Sequence, residues 1–207
     1  ASYADTGNFD DAQSGDKRVF GDAEAAAELA GRGICLSSAN SINWGRLAPQ
    51  IVYYFYAYFR LVESGAAAWG QPVDFCVPTG NFGDILAGYY AKRMGLPVGR
   101  LICAPNKNNV LADFIRTGTY DKRREFYKTA SPSMDILISS NLERLLYHLT
   151  GDAARVAGWM AELAEKGCYT VDAETLARLQ ESFACGWADD AQATAMIRRR
   201  WEEDRYL

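Results

Sequence analysis

Residues 73–88 read VDFCVPTGNFGDILAG, and this stretch decides the fold. Its first part, Val73 to Val77, is a short, mostly apolar run between two prolines, which predicts a strand. Residues 78–83 contain two glycines and an asparagine, and they predict a turn. From Asp84 onward, apolar residues recur every three or four positions until Gly95, so a helix follows the turn.

A strand that leads through a glycine-rich turn into a helix N-terminus has the geometry of a phosphate-binding site. Glycines let the backbone approach a ligand closely, and the first N–H groups of a helix have no partner inside the helix. The helix dipole also favours an anion at this end. The spacing leaves one alternative open, which is an ordinary tight connection with Asp84 as the N-cap of the helix.

The pattern of a strand, a polar loop and a helix occurs three times, with the strands expected at residues 34–37, 73–77 and 98–104. This alternation predicts an α/β fold in which a parallel sheet, flanked by helices, forms three layers. Ligands of such sheets bind beyond the carboxyl ends of the strands, so we expect the three loops to converge on a phosphorylated or zwitterionic small molecule. From residue 141 onward, apolar stripes that include Phe183 predict helices.

Residues 44–64 predict a long helix with aromatic side chains on most of its sides. Pro49 predicts a kink or a late start of this helix. Two interpretations remain open. The helix is either buried between the sheet and other helices, or it forms a subunit interface or a wall of a cofactor site.

Bulk composition excludes several classes of function. The 207 residues include 26 acidic and 22 basic residues, and a net charge of −4 argues against nucleic acid as a partner. The longest apolar run, residues 51–59, is too short to span a membrane. Five cysteines without a CxxC pair favour reduced, buried thiols in the cytoplasm, with Cys35, Cys76 and Cys103 inside apolar runs, and they argue against a metal site. His148 is the only histidine and is expected to be structural.

Several stretches resemble one enzyme family. Residues 38–47, which read SANSINWGRL, are similar to a signature of threonine synthase, and residues 78–84, which read PTGNFGD, resemble the phosphate loop of that family. Residues 7–13, 104–120 and 131–144 also resemble family segments, in the same order along the chain. The Ser-Pro-Ser-Met-Asp sequence in the last of these is similar to the longer branch of the family, which occurs in bacteria and fungi.

The resemblance implies a fold and a cofactor. Threonine synthase is a pyridoxal-phosphate enzyme of fold type II that converts O-phospho-L-homoserine and water to L-threonine and phosphate, and a lysine holds the cofactor as a Schiff base. The resemblance implies that main-chain amides bind the cofactor phosphate, namely those of Gly80, Asn81, Phe82, Gly83 and Asp84. It also makes residues 1–134 the α/β cofactor-binding portion of the large domain and residues 135–207 a mainly helical extension.

The resemblance suggests substrate-binding residues in the signature segment, namely Asn40, Ser41, Asn43 and Arg46. Arginine suits this role because its guanidinium can bind a phosphate through two parallel hydrogen bonds. The alternative for Arg46 is a structural ion pair.

The sequence departs from the family in one respect that affects catalysis. The Schiff-base lysine of the family stands in a different context, and none of the lysines of this chain matches it: Lys17, Lys92, Lys107, Lys122, Lys128 and Lys166. We therefore expect a central portion of a longer enzyme that needs its missing N- and C-terminal parts for activity. The expected catalytic lysine lies upstream, and no metal, nucleic acid or membrane is expected to take part.

Two other functions remain open. The first is another fold type II pyridoxal-phosphate lyase, such as a threonine-synthase-like phospholyase or a dehydratase. The second is a non-catalytic phosphate-binding or interaction module that uses the aromatic residues 44–64 as a docking surface.

Overall fold

The computed structural model describes residue 15, residues 18–37 and residues 42–206. The strands are β1 (Val73–Pro78), β2 (Val98–Ala104), β3 (Thr119–Asp121), β4 (Cys168–Thr170) and β5 (Phe183–Cys185). The helices are α1 (Ala23–Gly31), α2 (Trp44–Leu47), α3 (Ile51–Glu63), α4 (Gly83–Arg93), α5 (Val110–Thr117), α6 (Leu142–Thr150), α7 (Ala153–Lys166), α8 (Ala173–Ser182) and α9 (Asp190–Asp204). Short 3-10 turns occupy Ala48–Gln50 and Pro132–Met134.

The central sheet is parallel, with the strand order β1-β2-β5. Its register places Val77 beside Cys103, and Cys103 beside Cys185. A separate antiparallel pair joins β3 to β4, with Tyr120 beside Tyr169. The prediction of an α/β fold with a parallel sheet flanked by helices is therefore confirmed.

The core lies on the side of the sheet against which the helices pack. There Leu101 of β2 is fully buried and lies so close to α4 that a side chain at Gly88 would meet it at 2.8 Å. The ring of Tyr54 of α3 lies against the same glycine, and a side chain there would also meet this ring at 2.6 Å. Side chains alternate across a strand, and Asp74 and Arg100 accordingly lie on the other face, where they are exposed.

The aromatic segment follows the prediction made from Pro49. α2 ends at Leu47, a 3-10 turn carries the proline, and α3 begins at Ile51. Tyr54 of α3 is 4% exposed, whereas Tyr56 is 66% exposed, so only one side of the helix belongs to the core. The interpretation as a core helix therefore holds for that side alone.

Two expectations about strands were wrong. Residues 34–37 are irregular and exposed except for the half-buried Leu36, because they follow the left-handed Gly33 and pair with none of the strands in the described part of the chain. The third strand of the sheet is instead β5, which begins at Phe183, a residue that its spacing had assigned to a helical stripe. Three residues are too few to show a strand periodicity, and Phe183 is buried because it lies beside Leu101 of β2.

The second part of the chain is mainly helical, as α6 to α9 show. Left-handed glycines end α6 and α7, at Gly151 and Gly167. β4 and β5 also come from this part and pair with β3 and β2, so both sheets join residues from either side of position 134. The division at that position stays a prediction.

The cysteines only partly match the expectation of buried thiols. Cys103 is buried, but Cys35 and Cys76 are exposed, because the first lies in the irregular segment and the second on the open face of the sheet. All five cysteines are free thiols. None of the helices in the described ranges is both long enough and apolar enough to cross a bilayer.

Candidate functional site

The glycine loop, residues 79–84, connects β1 to α4. Thr79 fixes the exit from the strand, since its N–H donates to the Ala104 carbonyl at 3.2 Å and its hydroxyl donates to the Val77 carbonyl at 2.6 Å. Phe82 then adopts a left-handed conformation with φ of 64°, which is uncommon for a residue other than glycine. Its ring is buried and packs against Phe183 with a centroid distance of 5.6 Å, and this packing holds the strained turn in place.

The main-chain donors of this loop are unused. The five N–H groups from Gly80 to Asp84 make no hydrogen bond with any described residue, and no side chain caps α4. The helix that follows has 11 residues, and its dipole adds to the positive potential at this end. Donors of this kind, grouped at a helix N-terminus, are suited to an anion such as a phosphate group. The alternative with Asp84 as the N-cap is wrong, because α4 begins one residue earlier with Phe82 in the cap position.

One wall of the site comes from Ser133 and Met134, the last residues before position 135. A side chain at Gly80 would lie 3.0 Å from the Cα atom of Met134 and 3.2 Å from the carbonyl oxygen of Ser133. The absence of a side chain at position 80 therefore permits this close backbone approach.

That wall is held by the buried carboxylate of Asp135. It accepts hydrogen bonds from the side chains of Asn106 at 2.7 Å and Asn108 at 3.0 Å, and from the N–H of Thr129 at 2.9 Å. Both asparagines belong to the asparagine loop, residues 105–109, which follows β2. Their side chains are buried and occupied, so this loop supports the site without offering its amides to a ligand. The side chains of Asn106 and Asn108 are therefore already paired, and the convergence of the three loops on a small molecule stays a prediction.

The other end of the glycine loop is tied to α6. Asn141 donates from its side chain to the Asn81 carbonyl at 2.9 Å, and the Ser140 hydroxyl donates to the Asn81 side-chain oxygen at 3.2 Å. Arg144 then donates to the Asn141 side-chain oxygen at 2.6 Å and also to the carbonyl of Ile42. These bonds connect the glycine loop to the segment that contains the predicted substrate residues.

The unused N–H groups face a cavity of about 370 Å³. Its lining consists of Gln50, residues 78–85, Ser133 and Met134. None of the described residues brings a cationic side chain to this lining, so an anion bound there would be held by neutral donors and by the helix dipole. None of the lysines in the described part of the chain lines this cavity.

Asp84 is the one acidic residue in this lining. The Tyr54 hydroxyl donates to the Asp84 carbonyl at 2.9 Å and to its carboxylate at 3.3 Å. Partial loss of solvation raises the pKa of the Asp84 carboxyl, and the bond from Tyr54 offsets part of that rise. Burial also raises the pKa of Tyr54 well above its usual range, so this hydroxyl remains a donor.

The structure gives different outcomes for the predicted substrate residues. Asn40 and Ser41 lie outside the described residues, as do Lys17 and residues 7–13. The Asn43 side chain accepts a hydrogen bond from the Gly45 N–H at 2.9 Å and caps α2. Arg46 is exposed and forms no ion pair with a described residue, so the alternative of a structural ion pair finds no partner there.

Sequence reasoning missed the residues that shape the site from a distance. The sequence presents them only as members of a segment that is similar to the family, namely Asp135, Ser140, Asn141 and Arg144. Their signal was a run of polar residues immediately before an apolar helical stripe, but the sequence does not show which loop they contact. Gln50 was missed because it follows a proline inside a predicted helix.

Comparison with known proteins identifies relatives across nearly the whole chain. No family model matches this chain. It is 44% identical over 203 residues to threonine synthase-like 1 of Homo sapiens, covering 97% of this chain and 27% of that protein. It is 38% identical over 222 residues to threonine synthase of Schizosaccharomyces pombe, covering 97% of this chain and 42% of that protein.

Solved structures agree with these relatives. Pyridoxal-phosphate-bound threonine synthase from Brucella melitensis superposes with a TM-score of 0.85 at 45% identity, covering 97% of this chain and 41% of that one. Yeast threonine synthase gives a TM-score of 0.80 at 37% identity, covering 95% of this chain and 39% of that one. The chain therefore spans well under half the length of each of these proteins. In sequence and in fold it is homologous to the threonine synthases of fold type II and matches a portion of about two fifths of their length.

Proposed function

We propose that this chain is the cofactor-phosphate-binding portion of a threonine synthase, which converts O-phospho-L-homoserine and water to L-threonine and phosphate. The observation that carries the proposal is the row of N–H groups from Gly80 to Asp84, which have no partner among the described residues and lie at the N-terminus of α4. The first N–H groups of a helix have no partner inside the helix, and here the N–H groups of the preceding turn lie beside them. Consecutive unpaired groups on the wall of a cavity therefore indicate a site for an anion.

The residues of this site fit the phosphate group of pyridoxal phosphate. The N–H groups of Gly80 to Asp84 would bind its oxygens, the left-handed Phe82 directs the turn, and Gly80 allows the wall at Met134 to close against the loop. When bound, the cofactor supplies an electron sink for chemistry at the substrate carbons. The chain's own residues hold and orient the phosphate.

We assign the substrate phosphate to the segment before α3, with Asn40, Ser41, Asn43 and Arg46 as candidates. Support comes from Arg46, which is exposed and, among the described residues, without an ion pair. It precedes Gln50 of the cavity wall by four residues, or about one helical turn. Two phosphate groups, one on the cofactor and one on the substrate, would then lie at neighbouring positions.

The remaining assignments are proposed on the same basis. Residues 1–134 form the cofactor-binding portion, and residues 135–207 form the mainly helical extension. The lysine that anchors the cofactor belongs to another part of the longer enzyme, because no described lysine lines the cavity. The chain alone is then inactive, and its place of action is the cytoplasm.

A titration of the 207-residue chain with pyridoxal phosphate tests the proposal. Amide NMR shifts would report the binding site, and the mass after borohydride reduction would report any covalent attachment to a lysine. We expect saturable shifts confined to residues 78–86, no specific reduced adduct, and no turnover of O-phospho-L-homoserine.

Two results would contradict parts of this proposal. Without saturable shifts in the glycine loop, the assignment of Gly80 to Asp84 as the phosphate site is lost. Turnover by the chain alone would contradict the view that its anchoring lysine lies elsewhere.

A related lyase is the second candidate, because 44% identity connects this chain to threonine synthase-like 1 as well as to threonine synthases. A longer enzyme that contains this chain, supplied with O-phospho-L-homoserine, separates the two. L-threonine as the product identifies a threonine synthase, and a different product together with released phosphate identifies another phospholyase.

A further inference from the structure

The outer edge of β1 is open. The strand order β1-β2-β5 places β2 on one side of β1, and none of the described strands lies on its other side. The Thr79 N–H donates to the Ala104 carbonyl of β2, and backbone groups alternate in direction along a strand. The N–H and C=O groups of Cys76, three residues earlier, therefore point to the open edge, where none of the described residues pairs with them.

An apolar groove lies beside this edge, between α3 and β1. It has a volume of about 200 Å³. Tyr53, Tyr54 and Ala57 of α3 line one side of it, and residues 75–78 line the other. Asp84 is the one charged residue among the described residues of the lining, and its carboxylate accepts from the Tyr54 hydroxyl at 3.3 Å. The rest of the groove suits the apolar side chains of a neighbouring segment.

The exposed side of α3 extends this apolar surface. Tyr53 at the groove is 61% exposed, and Tyr56, three residues further along, is 66% exposed. At the end of the helix, Phe59 stacks on Trp69 with a ring-centroid distance of 6.0 Å and an angle of 6° between the rings. A contiguous group of large exposed rings marks a surface on which another protein segment packs. We call these residues the α3 aromatic face: Tyr53, Tyr56, Phe59 and Trp69.

β1 carries little of the protection that exposed edge strands usually have. Proteins keep such edges from pairing by means of charged side chains, above all lysine, or of proline. β1 has no lysine, Pro78 is its last residue, and the Asp74 carboxylate already accepts from the Arg100 N–H at 2.6 Å. Parallel sheets are also covered on both faces in nearly all folds. The open edge and the open face thus indicate a sheet that continues into a further segment.

A strand of the longer enzyme is the occupant that fits this edge. The chain covers 41% of the threonine synthase from Brucella melitensis, so the rest of such an enzyme exceeds this chain in length. A second copy fits less well. Two copies related by a two-fold axis pair the same edge antiparallel, whereas the pairs β1-β2 and β2-β5 are parallel.

We propose that the β1 edge and the groove beside it receive a further β-strand from the part of the longer enzyme outside these 207 residues. The strand runs parallel to β1, bonds to the N–H and C=O groups of Cys76, and places apolar side chains in the groove next to the α3 aromatic face. Because Thr79 and the glycine loop follow β1 directly, the added strand also holds the loop in position. This inference rests on the proposed function only for the longer enzyme that contains this chain.

Amide hydrogen exchange in the longer enzyme tests the proposal. We expect the Cys76 amide to exchange about as slowly as that of Val77, which donates to β2 within the sheet. In the 207-residue chain, the Cys76 amide should exchange about 100-fold faster than the Val77 amide, because only the latter is bonded there. A Cys76 amide that also exchanges about 100-fold faster than that of Val77 in the longer enzyme overturns the proposal, whatever the chain alone does.

Two tyrosine substitutions test the α3 aromatic face. Tyr56→Lys should lower the urea midpoint of the longer enzyme but not that of the 207-residue chain, where this ring is exposed. Tyr147→Lys is the matched control, since Tyr147 is 48% exposed on α6 and does not line the groove, and it should change both midpoints equally. Equal shifts from Tyr56→Lys in the two proteins would overturn the role of this face.

Analytical ultracentrifugation tests the other occupant. If the Cys76 amide becomes protected only in a dimer, both in the 207-residue chain and in the longer enzyme, the occupant is a second copy and the proposal is overturned. The proposed function is decided separately, by the binding of pyridoxal phosphate at the glycine loop. Absence of that binding, together with a protected Cys76 amide in the longer enzyme, would overturn the function and leave the added strand in place.

Discussion

The glycine loop and the asparagine loop both follow strands of the parallel sheet. The two loops differ in whether their hydrogen-bond donors have partners among the described residues. In the asparagine loop, Asn106 and Asn108 are buried and bonded to Asp135 at 2.7 and 3.0 Å. In the glycine loop, the N–H groups from Gly80 to Asp84 have no described partner. Residue type alone therefore does not identify a ligand site, because what matters is whether the donors are already used.

The two loops also depend on each other. Asp135 holds the asparagine loop, and the residues just before it, Ser133 and Met134, form the wall against Gly80. The paired side chains around Asp135 thus support a glycine loop whose N–H groups have no described partner. The N–H groups of the glycine loop can still donate hydrogen bonds, and a bound anion can accept them.

The largest expected effect comes from breaking the hydrogen-bond network around Asp135. Asp135→Asn keeps the volume but places an amide with two donors among Asn106, Asn108 and Thr129, which all donate to the native carboxylate. At least one donor is then left buried and unpaired. We expect the free energy of unfolding in urea to fall by about 3 kcal/mol.

Asp204→Asn is the control for that experiment. Asp204 pairs with Arg200 at the exposed end of α9, and surface ion pairs of this kind contribute at most about 1 kcal/mol. If the two variants lost equal stability, the distinction between a supporting loop and a ligand-binding loop would lose its basis.

Gly80→Ala tests the close approach between the glycine loop and its wall. The new methyl group would meet the Met134 backbone at 3.0 Å, so we expect about 2 kcal/mol of destabilisation and weaker binding of inorganic phosphate. Gly158→Ala in α7 is the matched control, since nothing lies within 4 Å of its added methyl group. There, alanine should raise stability by up to about 1 kcal/mol. Urea unfolding and a phosphate titration measure both effects.

Asp84→Asn tests how the charge of Asp84 affects anion binding at the glycine loop. It removes the one carboxylate from the cavity lining, so at pH 7 phosphate should bind about fivefold more tightly, or about 1 kcal/mol. The pKa of Asp84 is raised in the folded chain, so the stability linked to its protonation is present at low pH. It is lost as pH rises through the folded-state pKa, and the variant should lack this change. Asp204→Asn, with the same charge change away from the cavity, should leave phosphate binding unchanged.

The smallest expected effect concerns His148, outside both loops. Its ring contacts the Tyr90 hydroxyl at 3.0 Å and the Arg93 guanidinium at 3.1 Å. Burial and the charge of Arg93 lower the pKa of His148 below its ordinary value of 6.5. The unfolded chain then binds a proton more readily, so stability should fall as pH drops below about 6.5.

His148→Gln measures that contribution, because the sequence has no other histidine. Urea unfolding between about pH 7.5 and pH 5.5 should show a smaller loss of stability in the variant than in the unsubstituted chain. A loss of the same size in both chains would assign the pH dependence to other groups.

Much of the fold was predictable because its signals are local. The run from Val73 to Val77 marked β1, the apolar period marked α4, and Pro49 marked the break before α3. Residues 34–37 and β5 were not predictable, since whether a short apolar segment becomes a strand depends on a neighbour far away in the chain. Phe183 illustrates this, because its partner Leu101 lies 82 positions earlier.

The candidate site divides in the same way. The sequence by itself determined the glycine turn at the start of α4 and the similarity to threonine synthases, because backbone freedom and helix initiation depend on adjacent residues. Only the tertiary structure decided that Asn106 and Asn108 support the site while the N–H groups of Gly80 to Asp84 stay open, and that Gln50 joins their cavity. Hydrogen bonds between distant segments consume some donors and leave others free, and only the folded chain brings those segments together.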